Sequence, residues 1–293
     1  MSAVNGVPPE LELAKVDDNR FTVAPIGAAT ARDVVNGVQL MAYSIVAALG
    51  GDGATTSNHT VKSAHGLFLK PVLRTAPADV VLDRFYSGRA FGAITATITQ
   101  NGKPCARVQL LTHADEPDVI RHHDVMPDVA SPDDCQPFTA SGSGTPGFDI
   151  RVVGAPDYET IGHAPQEPSL RLWVRYHAPV ATPALNQAVL TNCTGTTLIG
   201  TSMLPHAEIG QSQAHRTLST GVVGHTTAFH DPFAVDQWLL LDQRSVNAGN
   251  GRTHGRALVY AADGRLVASY VQDNMIRHFT DGRDHSAKSA TVM

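Results

Sequence analysis

Two hydrophobic periods follow one another along the first part of the chain and predict its elements. Residues 32–49 carry apolar side chains at helical spacing and are followed by Gly50-Gly51, which predicts a long helix ending at these glycines. From residue 61 onward the period becomes two, most clearly at 93–99, where apolar residues alternate with Thr. One helix followed by an antiparallel meander predicts an α+β unit whose sheet wraps the helix. The predicted strands of this meander are 61–69, 79–86, 90–100 and 104–113.

The second half of the chain repeats this arrangement. A helix is predicted over 183–203, with Thr182 as its N-cap and Pro183 at its first position. In both halves a strand ends in Phe-x-x-Pro, at Pro71 and at Pro232, and an Asx-Gly hairpin follows at nearly the same spacing. These matches predict two copies of one unit. The predicted strands here are 148–153, 170–177, 221–230, 237–246, 252–261 and 266–273.

A segment rich in Pro, Gly and Ser separates the two predicted units. It covers residues 126–147 and includes the flexible run Ser141-Gly142-Ser143-Gly144. The predicted units are therefore residues 1–125 and 148–282, each of a usual domain size. Residues 283–293 are polar and are predicted to be a disordered tail.

Composition and charge exclude several classes of function. The net charge is −5 and there is no basic tract, so no nucleic-acid partner is expected. No apolar run approaches the length of a membrane span, and residues 1–4 do not open a signal peptide, which predicts a cytoplasmic protein. Three widely spaced cysteines predict neither disulfides nor a zinc site. The chain has 14 histidines, but neighbouring His122 and His123 would face opposite sides of a strand, and so would His225 and His230. No metal and no cofactor are expected.

Short motifs occur in a fixed order along most of the chain. They are residues 61–71, 83–91, 100–104, 126–129, 170–175, 229–233, 238–240 and 263–268. Each motif is weak alone, but in order and spacing together they resemble the acyl-CoA thioesterase II family (TesB-like). The resemblance implies a double hotdog fold, in which two tandem hotdog units each wrap a long helix in an antiparallel sheet. It also implies an acyl-CoA or similar thioester as partner.

In that family an Asp on a helix, a Ser or Thr, and a Gln position and activate the water that attacks the thioester. The Gln corresponds to Gln272 in this chain. Counting back from Pro205 places the Asp at Gly195, and the hydroxyl position, two residues before the Asp of an Asp-His pair, falls on Val222. Gly224 replaces the Asp that precedes His225. Because neither Gly195 nor Val222 can accept a proton, ordinary hydrolysis by the family mechanism loses two of its three groups.

Other polar residues are candidates to replace the missing groups. Asn192 and Thr194 surround the Gly195 position, and His65 is a titratable base on the first unit. His225 and His230 flank the altered Asp position, and each is also a candidate for the site. The segment at the start of the first helix resembles the family's Gly-Gly-Gln and is a candidate to line the substrate path: Asn36, Gly37 and Gln39.

Three classes of function remain open from the sequence. The first is an acyl-CoA hydrolase that uses Gln272 with altered partners, acting in lipid metabolism. The second is a double hotdog enzyme adapted to dehydration, isomerisation or cyclisation of a thioester or polyketide-like substrate, with His65 or His225 as its base. The third is a non-catalytic protein that binds acyl-CoA or lipid. A homodimer or homotetramer is possible in each case, because hotdog units pair at sheet edges.

Overall fold

A computed structural model describes residues 7–26, 33–49, 59–138, 146–157 and 159–279. Within these ranges thirteen strands form one antiparallel sheet. They are, in chain order, β1 (Ala14–Lys15), β2 (Arg20–Val23), β3 (His59–Phe68), β4 (Ala78–Ser87), β5 (Phe91–Gln100), β6 (Lys103–Ala114), β7 (Gln136–Pro137), β8 (Phe148–Val152), β9 (Ser169–Tyr176), β10 (Leu218–Phe229), β11 (Leu239–Gly249), β12 (Arg252–Ala261) and β13 (Leu266–His278).

The order of strands across the sheet keeps the two halves of the chain in separate blocks. The order is β1-β2-β4-β5-β6-β3-β10-β13-β12-β11-β9-β8-β7. The blocks meet where β3 pairs antiparallel with β10, with His65 opposite Thr226. The predicted antiparallel sheet is present in each half, but the strands do not follow one another as a simple meander, because β3 pairs with β6 and β10 pairs with β13. The two blocks together form one continuous sheet.

Three α-helices lie within the described ranges: α1 (Gly37–Ala48), α2 (Pro183–Cys193) and α3 (Leu198–Thr201). Helices α1 and α2 pack against each other, and both are buried along nearly their whole length. Their apolar side chains join those of the strands in one large hydrophobic core. The sheet therefore buries two central helices, as the α+β prediction requires.

The predicted first helix begins too early. Helix α1 starts at Gly37, and Asn36 is its N-cap, with its side-chain oxygen accepting a hydrogen bond from the Val38 N–H at 3.4 Å. Asn36-Gly37 thus marks the start of the helix, with Gly37 as its first residue. An Asn at this place is favourable because it satisfies an N–H that has no partner in the helix. The predicted residues 32 and 50–51 lie outside the described part of the chain.

The predicted second helix is correct at its start and wrong at its end. Thr182 caps it, accepting a hydrogen bond from the Leu185 N–H, and Pro183 is its first residue. The helix ends at Cys193, and four residues with turn and bend geometry separate it from α3. The Thr194 hydroxyl bonds the Thr191 carbonyl at 2.7 Å, which offers this carbonyl a partner other than a helical N–H.

The predicted linker contains one ordered pairing. Strand β7 pairs with β8, with Gln136 opposite Val152. The flexible run predicted at 141–144 and the disordered tail predicted at 283–293 both lie outside the described residues. The division of the chain at 125 and 148 stays a prediction.

Side chains also connect the two halves beyond the β3–β10 pairing. The Gln187 carboxamide on α2 donates to the Val61 carbonyl at 2.8 Å and accepts from the Val61 N–H at 3.1 Å. Val61 lies at a register shift between β3 and β6, so Gln187 supplies bonds that the sheet does not make there. Lys62 Nζ donates to the Phe229 carbonyl at 2.7 Å.

Candidate active site

Gln272 and His225 form the centre of a buried polar cluster on the helix side of the sheet. They lie directly opposite each other on β13 and β10, and His225 Nδ1 is 3.0 Å from Gln272 Oε1. Both side chains are at most 1% exposed. Because a carboxamide oxygen only accepts, His225 donates from Nδ1, and this fixes its tautomer.

The other ring nitrogen of His225 accepts a hydrogen bond from a neighbouring hydroxyl. Nε2 lies 2.8 Å from Thr227 Oγ1 and 3.2 Å from Thr194 Oγ1. The single proton of Thr194 is directed at the Thr191 carbonyl, so Thr227 is the donor to Nε2. The uncharged imidazole is therefore fully hydrogen-bonded.

Burial keeps His225 uncharged at neutral pH. Removal from water lowers its pKa to about 4, although the hydrogen bond with Gln272 acts in the opposite direction. A group with this pKa is a weak base at neutral pH, and its free lone pair already accepts from Thr227. The geometry therefore argues against His225 as the general base, and its observed contacts are those of a group that orients Gln272.

The cluster continues from Gln272 along β13 to a neighbouring strand. Gln272 Nε2 donates to Asn274 Oδ1 at 2.7 Å, and Asn274 Nδ2 donates to Thr253 Oγ1 on β12 at 3.1 Å. Sequence reasoning missed Asn274 because the predicted strand ended at residue 273, and it did not single out Thr253 within the predicted strand 252–261. The spacing of two between Gln272 and Asn274 was the available signal, since such residues share one face of a strand. We refer to Thr194, His225, Thr227, Thr253, Gln272 and Asn274 as the polar cluster.

Tyr270 closes one side of the polar cluster. Its ring stacks on that of His225, with centroids 5.3 Å apart and planes at 28°. Burial raises the pKa of its phenol far above the ordinary value. Its hydroxyl has no hydrogen-bond partner within the described part of the chain. The ring thus restricts His225 to one orientation and excludes water from that side.

Gly195, in the turn after α2, lies against the first turn of α1. A Cβ added there would lie 2.4 Å from Cγ2 of Val38, in the first turn of α1. Real Cβ atoms do not approach other carbons this closely, so only glycine fits while Val38 is in place. The space that any side chain at residue 195 would need is filled by a side chain from the other half of the chain.

Val222 lies on the same face as the polar cluster. It is opposite Asn274 in the β10–β13 ladder and packs against the hydrophobic core, and a register shift separates it from Gly224. An apolar side chain thus stands next to the Asn274 carboxamide, where the resemblance implies a hydroxyl. Asn192 is buried near the end of α2, and its side chain makes no hydrogen bond to another described residue.

The predicted substrate-binding residues at the start of α1 have structural contacts. Gln39 Nε2 donates to the Glu10 carbonyl and to Tyr43 Oη, both at 3.0 Å, and so holds the N-terminal segment on α1. A Cβ on Gly37 would lie 2.6 Å from the ring of Phe68. Asn36 caps the helix. Of these three residues, none makes a hydrogen bond to the polar cluster among the described contacts.

His65 is not brought together with Gln272. It lies on the exposed face of β3, where Nδ1 is 2.6 Å from Thr226 Oγ1, whereas the next residue on β10, His225, is buried on the opposite face. His230 is also exposed and bonds Ser269 Oγ at 2.9 Å. Adjacent strand residues alternate between faces, so the sheet itself separates His65 and the polar cluster.

Two further features of the described residues concern metal-binding groups and membrane-spanning helices. No group of three or more His, Cys, Asp or Glu side chains with metal-binding geometry is found among the residues of the structure described above. In the same part of the chain, no helix has the length and apolar character needed to cross a bilayer.

A single sheet that wraps two central helices, with a buried polar cluster on its strands beside the end of α2, defines a double hotdog protein of the thioesterase type. Models of the acyl-CoA thioesterase N-terminal and C-terminal domains match residues 25–113 and 123–276. The chain belongs to the acyl-CoA thioesterase family.

Relatives and solved structures agree with this assignment. The chain is 25% identical to acyl-coenzyme A thioesterase 8 of Homo sapiens over 264 residues, covering 82% of this chain and 80% of the relative. It is 23% identical to acyl-CoA thioesterase 2 of Haemophilus influenzae, covering 91% of this chain and 95% of the relative. The fold matches that of acyl-CoA thioesterase II TesB2 from Mycobacterium marinum, with a TM-score of 0.73, 23% identity and coverage of 93% and 98% of the two chains. A hot dog fold protein from Alicyclobacillus acidocaldarius matches with a TM-score of 0.70, 18% identity and coverage of 92% and 97%.

Proposed function

We propose that this protein hydrolyses acyl-CoA thioesters to the free acid and coenzyme A, with Gln272 orienting the attacking water. The observation that carries the proposal is the position of the Gln272 carboxamide. It lies in the polar cluster, which reaches the end of α2 through Thr194, and the next residue, Gly195, touches the first turn of α1. Family membership supports thioester hydrolysis as the reaction, and this geometry supports Gln272 as the residue that orients the water.

The proposed step needs a held water and a stabilised oxyanion. The water oxygen attacks the thioester carbonyl carbon, the C–S bond breaks, and the water proton ends on the sulfur of coenzyme A. Gln272 uses one N–H and one lone pair within the polar cluster, which leaves one of each to hold a water. Backbone N–H groups in the first turn of α1 are the proposed donors to the oxyanion, where the helix dipole favours negative charge.

We expect the rate to be low for this reaction class. Gly195 and Val222 provide neither a base nor a hydroxyl, and such groups commonly contribute about 10²–10⁴-fold each. Thr194 and Asn192 are the proposed substitutes. The Thr194 proton is engaged by the Thr191 carbonyl, so Thr194 can only accept a hydrogen bond from water.

Thiol release from acyl-CoAs of increasing chain length tests the proposal. We expect release by the wild type, and loss of most of it in Gln272→Ala and in the similarly sized Gln272→Met. Gln109→Ala, the same change at an exposed strand position on β6, is the matched control and should keep full activity. If folded Gln272 variants release thiol at the wild-type rate, the assignment of Gln272 is wrong.

Binding of acyl-CoA without hydrolysis is the second candidate. Two observations favour it: both ring nitrogens of His225 are already engaged within the polar cluster, and Val38 fills the space that a side chain at residue 195 would need. An enzyme adapted to another reaction has less support, because His65 is on the outer face and His225 is a weak base. Saturable acyl-CoA binding with no thiol release would favour the second candidate.

The setting of the reaction is also part of the proposal. We place it in lipid metabolism in the cytoplasm, where the three buried free cysteines would stay reduced. Assembly into a homodimer or homotetramer stays a prediction, as does the division into units 1–125 and 148–282.

A further inference from the structure

A cavity of about 210 Å³ lies beside the polar cluster, at the end of the sheet where β11 and β12 are connected. The segment around α3 forms one wall, and the ends of β10 to β13 form the others. Its lining residues are Ser202, Met203, His206, Ile209, Leu218, Ala248, Thr253, Ile276, Arg277 and His278.

The cavity has an apolar floor. Met203 and Leu218 are buried, at 1% and 2% exposure, and belong to a small hydrophobic cluster of their own with Ile199. Ile209 and Ile276 pack against this cluster. A ligand that reaches the floor must therefore present hydrocarbon to it.

The mouth of the cavity is polar and carries a positive charge. Ala248, His206, Arg277 and His278 are exposed and mark the opening. None of the ion pairs between residues in the described ranges includes Arg277. A guanidinium offers a planar fork of donors that fits a carboxylate, and imidazole N–H groups can add hydrogen bonds to the same anion.

We propose that this cavity binds a free carboxylic acid of about six to eight carbons, with its hydrocarbon tail on Met203 and Leu218 and its carboxylate on Arg277. An apolar protein cavity of about 150 Å³ accommodates benzene, with six carbons, so 210 Å³ corresponds to about eight carbons. The apolar floor matches the hydrocarbon tail of such an acid, and the cation at the mouth matches its carboxylate.

The site is separate from the proposed hydrolysis but adjoins its machinery. Thr253 lines the cavity and also accepts the hydrogen bond from Asn274, which in turn accepts from Gln272. The ligand belongs to the class of product that hydrolysis of a short or medium-chain acyl-CoA would release. Binding of the acid, however, requires no turnover, so this inference goes beyond the proposed function.

Calorimetric titration of the full chain with octanoate tests the inference, and octan-1-ol is the neutral comparison. We expect one octanoate per chain and binding of octan-1-ol at least about tenfold weaker, because the alcohol lacks the charge that Arg277 recognises. Ala248→Phe, which places a ring at the exposed mouth, should abolish binding. Arg277→Gln should weaken octanoate at least about tenfold and leave octan-1-ol unchanged.

Matched controls separate these effects from changes in folding. Val246→Phe is the same kind of change at an exposed residue of the same strand outside the cavity, and Arg256→Gln removes an exposed charge from β12. Both should bind octanoate as the wild type does. No octanoate binding by the wild type, equal affinity for acid and alcohol, or unchanged binding by Ala248→Phe would each overturn the inference.

The outcome is independent of the thioesterase assay. Octanoate binding that depends on Arg277 in a protein without thiol release supports the cavity and contradicts the proposed function. Thiol release in a protein that does not bind octanoate supports the proposed function and contradicts the cavity proposal.

Discussion

Val38 of the first helix fills the space that a side chain at Gly195 would need. A Cβ at residue 195 would meet Cγ2, Cγ1 and Cβ of Val38 at 2.4, 2.7 and 3.1 Å. Because Val38 is branched at Cβ and fixed in a helix, it cannot rotate away without strain. At the position where the resemblance implies an Asp, a packing contact between the two halves of the chain therefore leaves room for glycine alone.

This contact predicts that restoring the Asp alone will fail. We expect Gly195→Asp to lower the free energy of unfolding by at least about 2 kcal/mol, because it overpacks the contact and buries a carboxyl group. Combining it with Val38→Ala and Val222→Thr should recover stability and raise thiol release. Urea denaturation and the thiol assay measure the two effects.

Gly249→Asp, at a glycine with open space around it, is the control and should unfold like the wild type. A stable Gly195→Asp protein would contradict the packing argument.

His225 predicts a loss of stability in mild acid. Its pKa is about 4 in the folded protein and about 6.5 when unfolded, so below pH 6.5 the unfolded state binds more protons. The free energy of unfolding should fall as the pH drops from 6.5 to 4, by up to about 3 kcal/mol. Denaturation curves across this range should show a smaller decrease in His225→Asn than in the wild type. His122→Asn, at an exposed histidine outside the helices and strands, should keep the wild-type slope.

Asn274 is predicted to be more important for stability than its position near the end of β13 suggests. Its removal leaves Gln272 Nε2 without its buried acceptor, so Asn274→Ala should cost about 1–3 kcal/mol. Chemical denaturation measures this cost. Asn247→Ala, at an exposed position of β11, should change stability by less than about 0.5 kcal/mol. Equal effects of the two substitutions would show that the buried carboxamide bonds are not stabilising.

Gly37 is predicted to be required by packing against Phe68. Gly37→Ala should destabilise the protein by about 1–2 kcal/mol, because the new methyl group meets the ring. In a Phe68→Leu background the same change should cost clearly less, and a double-mutant cycle measures the difference. Additive effects would instead favour the sequence-based hypothesis that Gly37 is kept for the substrate.

His65→Ala is predicted to leave turnover and its pH profile unchanged. The side chain lies on the outer face of the sheet and its described hydrogen bond is to Thr226. Thiol release measured from pH 5 to 9 should superimpose on that of the wild type. A shifted profile would place the reacting groups on the outer face and contradict the proposed site.

The sequence predicted the order of the elements better than their contacts. The alternation of apolar and polar residues and the prolines at strand ends are local signals. All ten strands predicted from them have counterparts in the sheet. The early end of α2 was missed because it depends on the Thr194–Thr191 bond, and Thr also occurs within helices. At Asn250-Gly251, where both residues have positive φ, the Asn-Gly dipeptide is itself a local signal for the hairpin turn between β11 and β12.

The candidate site was predictable only in part. Gln272 was found through the family motif, and its buried position next to His225 agrees with an inward-facing strand residue. Thr253 and Asn274 are brought together by the pairing of β12 with β13. Val38 meets Gly195 only because segments far apart in the sequence pack together. Such relations depend on tertiary structure, which a single sequence does not reveal through local periodicity.

The β3–β10 pairing has a consequence for how the molecule could be divided. Either half expressed alone would expose a long central strand with unpaired backbone groups, a template for non-native association. Co-expressed as separate polypeptides, the halves have a matched edge, the Gln187–Val61 bonds and the α1–α2 contact to bring them together. The chain segment between the two halves is thus a suitable cut point for fragment complementation.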